Sequence, residues 1–356
     1  MTGTIPAPFH KGFNFTGWLE YRPADEIRED MFTKTDFENV RSMGGDVVRV
    51  PVHFERFIDR EDGCRINGRI IAIIDRLAQW SEELGMYVVL DFHNSTHADS
   101  VTPEDVEEVL TPVWTQLAER YRSASEYLVY ELMNEPHGIE VGRWNGIAER
   151  LHRKIRGIDP DRWIVIGGAD WNSTAAMRQL PDFGDGRVIY TFHFYEPHTF
   201  THQGAPWCHM ERVVGLPFPY DPEKMPPLPE HPTEREKMCF RYYEKTGTIE
   251  AIERFFDDYV EFSNARNAPV YCGEFGCNGF AVDHEQRVRW YRIVTRLLDE
   301  RGIARTSWDY YGGFGIFGMN PGQKMHVRHL MRRPAFPQDL NREIVEALGF
   351  RVPEQA

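Results

Sequence analysis

Tyr127-Leu-Val-Tyr-Glu-Leu-Met-Asn-Glu-Pro-His-Gly138 is the stretch on which the fold turns. Residues 128–133 form an apolar, β-favouring run broken by a single Glu, the pattern of a buried strand. The run stops at Asn134-Glu135, and Pro136 bars the strand from continuing. A carboxylate closing a buried strand is costly unless it is paired or used. This reading makes Glu135 a catalytic acid/base and calls for a second carboxylate opposite it.

Outward from that stretch, strand-like and helical segments alternate along the chain. Strands are expected at 12–17, 47–52, 87–93, 128–133, 163–167, 188–195, 270–275 and 304–308. Helices are expected at 33–43, 69–84, 103–122, 141–158, 248–265, 283–300 and 338–348. Thr35-Asp-Phe-Glu38 has capping-box spacing, and Gly44-Gly45 ends the first helix. Ile70, Ile73, Ile74, Leu77 and Leu84 share one face of the second. Eight strands with intervening helices are the count of a (β/α)8 TIM barrel, and mostly apolar strands suit parallel pairing beneath helices. A doubly wound open sheet fits less well, since no Gly-rich phosphate loop follows the first strand. The expected architecture is a single (β/α)8 catalytic domain over 1–356, with a Pro- and aromatic-rich insertion at 198–246. Leaving the sixth strand, that insertion overhangs the active-site face or simply caps the rim.

Composition narrows the partners. The chain has 356 residues, 41% hydrophobic and 27% charged, and a formal net charge of −14. That balance suits a soluble protein with a neutral substrate and argues against nucleic acid or an anionic membrane. No stretch has the length of a bilayer-spanning helix, and Met1–His10 lacks the apolar core of a signal peptide. The compartment stays open between cytoplasmic as written and secreted or periplasmic after loss of a leader. Five scattered cysteines argue against a disulfide framework, and Cys272 and Cys277 read as core thiols.

In such a barrel, functional side chains sit at strand C-termini and the loops after them. Those positions hold Asn14, Arg49, His93 and Asn94, Asn134 and Glu135, His193 and Tyr195, Glu274, and Trp308. Glu135 and Glu274, on the fourth and seventh strands, face each other across the barrel mouth. Two facing carboxyls match glycoside hydrolysis, where one protonates the leaving oxygen and the other attacks the anomeric carbon or activates water. Asp91, two residues before His93, reads as a structural partner and is set aside.

Asn134-Glu135-Pro136 together with Gly273-Glu274-Phe275-Gly276 resembles the retaining hydrolases of the large (β/α)8 clan, and within it glycoside hydrolase family 5, the cellulase family. Gly12-Phe-Asn-Phe-Thr-Gly-Trp-Leu-Glu20 is similar to that family's opening motif, with Thr-Gly-Trp where Gly-Asn-x is usual. Val48-Arg-Val-Pro51, Asp91-Phe-His93, His193-Phe-Tyr195 and Ser307-Trp308 match further family positions, so the resemblance spans about residues 12–317.

The resemblance implies roles. Glu135 is the acid/base and Glu274 the nucleophile. Asn134 binds the sugar 2-hydroxyl, Arg49 keeps Glu274 ionised, His193 supports Glu135, and Tyr195 steadies the nucleophile. His93 lines the central subsite and Trp308 is a platform under a pyranose ring. Asn14 belongs to the same constellation. Trp171, Trp207, Tyr310, Tyr311 and Phe314 are candidate outer subsites or core. His198, His202 and His209 lack a carboxylate or Cys in ligand register, so no metal site is expected. No cofactor is expected either, because two carboxylates and a water supply the chemistry.

The leading expectation is a monomeric, retaining, endo-β-1,4-glucanase-like enzyme acting on β-linked oligo- or polysaccharide. Mannan, xyloglucan, or exo action on short glycosides are alternatives. A non-catalytic carbohydrate-binding barrel is the alternative from a different class.

Overall fold

Eight parallel strands close into a barrel in the order β1-β8-β7-β6-β5-β4-β3-β2. They are β1 (Lys11–Asn14), β2 (Val47–Val52), β3 (Tyr87–Phe92), β4 (Leu128–Glu131), β5 (Ile164–Gly167), β6 (Val188–Phe194), β7 (Val270–Phe275) and β8 (Ala304–Ser307). Helices cover the outside: α1 (Lys34–Ser42), α2 (Gly68–Leu84), α3 (Glu107–Tyr121), α4 (Val141–Arg156), α5 (Thr174–Met177), α6 (Glu234–Thr246), α7 (Ile249–Arg266), α8 (His284–Arg301) and α9 (Arg342–Ala347). The structure is a computed structural model and describes residues 3–93, 101–318 and 333–354.

Side chains alternate across each strand, so the barrel has two apolar environments. The larger core lies between the outer strand faces and the helices. A second, separate cluster holds Phe9, Val47, Val89, Val129, Val165, Ile189, Tyr271 and Ala304, one inward position from each of seven strands with Phe9 beneath. The next inward step, two residues on, reaches Arg49, Asp91, Glu131 and Thr191, all buried. The barrel is therefore dry below and charged above.

Helix tryptophans tie the outer ring to the strand ends. The indole N–H groups of Trp114 on α3, Trp144 on α4 and Trp290 on α8 donate to the carbonyls of Leu132, Gly167 and Glu196 at 3.0, 2.8 and 3.1 Å. These carbonyls lie at or just past the ends of β4, β5 and β6, where no further ladder partner awaits them.

Several boundaries differ from expectation. β1 ends at Asn14 rather than residue 17, because Gly17 turns into the left-handed region (φ 77°) and the Glu20 carboxylate collects the amides of Gly17 and Trp18. β4 ends at Glu131, so Glu135 stands beyond the strand rather than closing it. Leu132 and Asn134 still donate backbone bonds to Val165 and Phe92, which keeps the extension rigid. The third helix begins at Glu107, after a turn through Pro103. Within 198–246 lies a true helix, α6, opened by a capping box between Thr233 and Glu236. That signal was present in Thr233-Glu-Arg-Glu236 and was masked by the surrounding prolines. All five cysteines are free. No described helix is long and apolar enough to cross a membrane.

Candidate active site

Arg49 sits at the centre of the charged layer, fully buried on β2. Its Nε and Nη2 donate side-on to Glu131 at 2.7 and 3.0 Å. Nη1 donates to Asn14 Oδ1 at 2.9 Å and to Glu274 Oε1 at 2.8 Å, while Nη2 reaches Asn134 Oδ1 at 2.9 Å. Asp91 Oδ2 lies 3.0 Å from Nη2. Burial works against the cation, but the Asp91, Glu131 and Glu274 carboxylates outweigh it and hold the guanidinium protonated well above its ordinary value. Burial pushes Asp91 up to about 7 and raises Glu131, each opposed by Arg49.

Above this layer the two glutamates meet. His193 Nδ1 lies 2.6 Å from Glu135 Oε1 and 3.5 Å from Glu274 Oε2. Polar atoms of Glu135, His193 and Glu274 fall within 4.8 Å of one another. Tyr195 Oη donates to Glu274 Oε2 at 2.8 Å, so each Glu274 carboxylate oxygen has its own donor. Burial keeps that phenol protonated far above its usual value. Desolvation raises Glu135 and pushes His193 down to about 4. Glu135 itself has φ 39°, a left-handed backbone that a non-glycine residue adopts only under constraint. Gly273, next to Glu274, lets β6 approach closely: a Cβ there would meet Thr191 Oγ1 at 2.9 Å and His193 Nε2 at 3.1 Å.

The other candidates divide. Asn14 is buried, with Nδ2 donating to the Gly273 carbonyl at 2.9 Å. His93 Nδ1 pairs with Asp91 Oδ2 at 2.7 Å, and its ring lies nearly parallel to Trp308 at 6.0 Å. Burial pushes His93 down to about 4. Trp207 is set further out. Its ring neighbours are His202 at 6.2 Å and Phe314 at 6.3 Å, both of which also pack on Tyr195. Tyr310 is fully buried against Phe13 and Phe15, hence core rather than subsite. Tyr311 donates to Asp36 Oδ1 beside α1. Asn94 lies outside the described residues. Among the described residues, His198, His202 and His209 form no group with metal-ligand spacing; Glu135, His193 and Glu274 do.

Trp171 has an unusual seat. Asp170, Trp171 and Asn172 all take left-handed φ values, 56°, 55° and 59°, just past the end of β5. Each such residue costs roughly 1–2 kcal/mol. The result is an indole 50% exposed, stacked on His137 at 4.6 Å, with its backbone N–H bonded to the Pro136 carbonyl.

Two residues were missed in the sequence. Asp91 was set aside and Glu131 was read only as an interruption in a strand, yet both reach Arg49. Spacing carried the signal: each follows an inward valine by two, as Arg49 follows Val47.

Comparison with known proteins finds relatives over most of the chain. Endoglucanase C of Acetivibrio thermocellus is 29% identical over 314 residues, covering 85% of this chain and 91% of that one. Cellodextrinase A of Ruminococcus flavefaciens is 28% identical over 307 residues, 83% of each. Endoglucanase Cel5A of Thermotoga maritima superposes with a TM-score of 0.75 at 26% identity, covering 95% of this chain and 96% of that one. Its structures include complexes with mannotriose and with cellobiose. The model of the family described as cellulase, glycosyl hydrolase family 5, matches residues 11–313. The chain belongs to that family.

Proposed function

We propose that this glycoside hydrolase is a retaining endo-acting enzyme on β-1,4-linked glucans, with Glu274 as nucleophile and Glu135 as acid/base. The closeness of the two carboxyls carries the reading. One oxygen of each carboxyl lies within 4.8 Å of one on the other, which suits the roughly 5–5.5 Å separation of retaining enzymes better than the roughly 6.5–9.5 Å that inverting enzymes keep for a water.

The two environments divide the labour. Glu274, held between Arg49 and Tyr195, attacks the anomeric carbon as Glu135 gives its proton to the departing glycosidic oxygen. The C–O bond breaks, a glycosyl ester forms on Glu274, and the leaving sugar departs as an alcohol. Glu135, now ionised, takes a proton from water, whose oxygen displaces Glu274 and restores both groups. Asn134, its carbonyl turned to Arg49, offers its amide N–H to the 2-hydroxyl. His93 lines the same subsite and Trp308 lies beneath the ring. Residues 198–246 act as an insertion over the active-site face, with Trp207 and Phe314 as outer contacts and Trp171 on the leaving-group side. Residues 1–356 form one catalytic domain.

A second substrate reading is β-mannan, favoured by the mannotriose complex of the Thermotoga maritima relative. The test is a panel of β-glucan, mannan, xyloglucan and aryl glycosides, followed by proton NMR. A β-configured product at early time on β-glucan, with mixed oligosaccharide sizes, is expected. An α-configured first product overturns the assignment of roles, and cleavage of mannan alone moves the substrate to the second reading.

A further inference from the structure

An arginine side chain has five N–H donors, and five hydrogen bonds from Arg49 use them all. Glu131 takes two, and Asn14, Asn134 and Glu274 take one each. Only the two bonds to Glu131 form a fork, and a forked pair fixes the plane of a guanidinium as well as its distance. With that plane set, Nη1 is aimed at Glu274 Oε1 and Nη2 at Asn134 Oδ1. Asp91, 3.0 Å from Nη2, adds charge but finds no donor left, and is served instead by His93.

We propose that Glu131 is a positioning residue for the reaction: by holding Arg49 side-on, it sets both the ionic partner of Glu274 and the direction of the Asn134 amide. This rests on the retaining reading above. Glu131 is buried and touches no substrate position itself. It acts through Arg49 on two groups that serve different parts of the transition state, the nucleophile and the 2-hydroxyl contact. The titratable and charged groups facing Arg49 are Asp91 and His93 from β3, Glu131 and Glu135 from β4 and its extension, His193 and Tyr195 from β6 and its end, and Tyr271 and Glu274 from β7.

Glu131→Gln is the discriminating variant. Its amide presents a donor where the fork needs an acceptor, so the side-on pair cannot close. The expected result is a fall in kcat of about 10–100-fold with KM little changed, since the lost orientation matters in the transition state. The ratio of kcat/KM for an aryl β-glucoside to that for its 2-deoxy analogue shrinks by about 3-fold or more, as expected when enzyme group and substrate hydroxyl are coupled.

Glu131→Asp keeps the charge but cannot span both nitrogens. It is expected to keep the 2-hydroxyl ratio small, and it carries the measurement if the Gln variant does not fold. A folded Glu131→Gln protein with wild-type kinetics overturns the proposal. So does lost activity with the 2-hydroxyl ratio unmoved. Glu274→Ala with azide separates this from the parent reading. Formation of an α-glycosyl azide keeps the retaining mechanism standing whatever Glu131 does, and its absence removes that mechanism.

Discussion

His193 Nδ1 lies 2.6 Å from Glu135 Oε1, and burial shifts the two groups in opposite directions, Glu135 up and His193 down to about 4. Opposite shifts lead to one state. Both shifts favour the neutral forms, a protonated carboxyl beside an uncharged imidazole, the pairing that the proposed general acid needs before attack.

The pH dependence follows from that sign. In the proposed reaction Glu135 must be protonated, so activity is retained below its raised pKa and lost as pH rises through it. The alkaline limb of kcat/KM is expected above the 4.5 of an ordinary glutamic acid. Glu135→Ala should lower turnover of unactivated glycosides by about 10²–10⁴-fold, spare dinitrophenyl glycosides in the first step, and erase the limb. An unchanged alkaline limb in that variant would remove Glu135 from the role.

Arg49→Lys tests the hub. An ammonium cannot reproduce a fork and three further bonds from one buried plane. Breaking such a network with its carboxylates still in place costs about 3–5 kcal/mol of stability. Denaturant titration should show that loss together with a collapse of kcat. Wild-type stability would mean that the carboxylates find other partners.

Trp171→Ala separates binding from folding. An indole half open to solvent contributes little to the core, so stability should change by no more than about 0.5 kcal/mol. Hydrolysis of long glucans should fall by roughly 10-fold, the worth of one aromatic contact, while a small aryl glycoside is cleaved as before. Equal losses on both substrates would place Trp171 outside the leaving-group side.

Trp114→Phe addresses the helix-to-rim ties. It leaves the Leu132 carbonyl without its buried donor, which costs about 1–3 kcal/mol. Because Leu132 lies between β4 and Glu135, kcat should fall as well. A variant destabilised but fully active would show that the Asn134–Glu135 turn is held by its own backbone bonds.

Much of this was legible in the sequence because parallel strands under helices write their burial as apolar runs and end in abrupt polar residues. Glu135, His193 and Glu274 announced themselves that way, and Arg49 did so as the lone charge in an apolar strand. Glu131 and Asp91 did not, because apolar residues follow each in the sequence, so the acid looks like an interruption until the two-residue step from Val129 and Val89 is followed inward. α6 was obscured by neighbouring prolines. The left-handed turn at Asp170-Trp171-Asn172 has no sequence signature, since none of the three is a glycine and the conformation is imposed by what they pack against.

The apolar layer of Val47, Val89, Val129, Val165 and Ile189, closed below by Phe9, governs the order of events in the proposed reaction. Solvent has no route to the glutamates through the bottom of the barrel. The water that resolves the glycosyl ester must enter from the mouth, through the space the departing sugar vacates. Departure therefore precedes hydrolysis by construction, and a second sugar arriving first by the same path would take the glycosyl group in place of water.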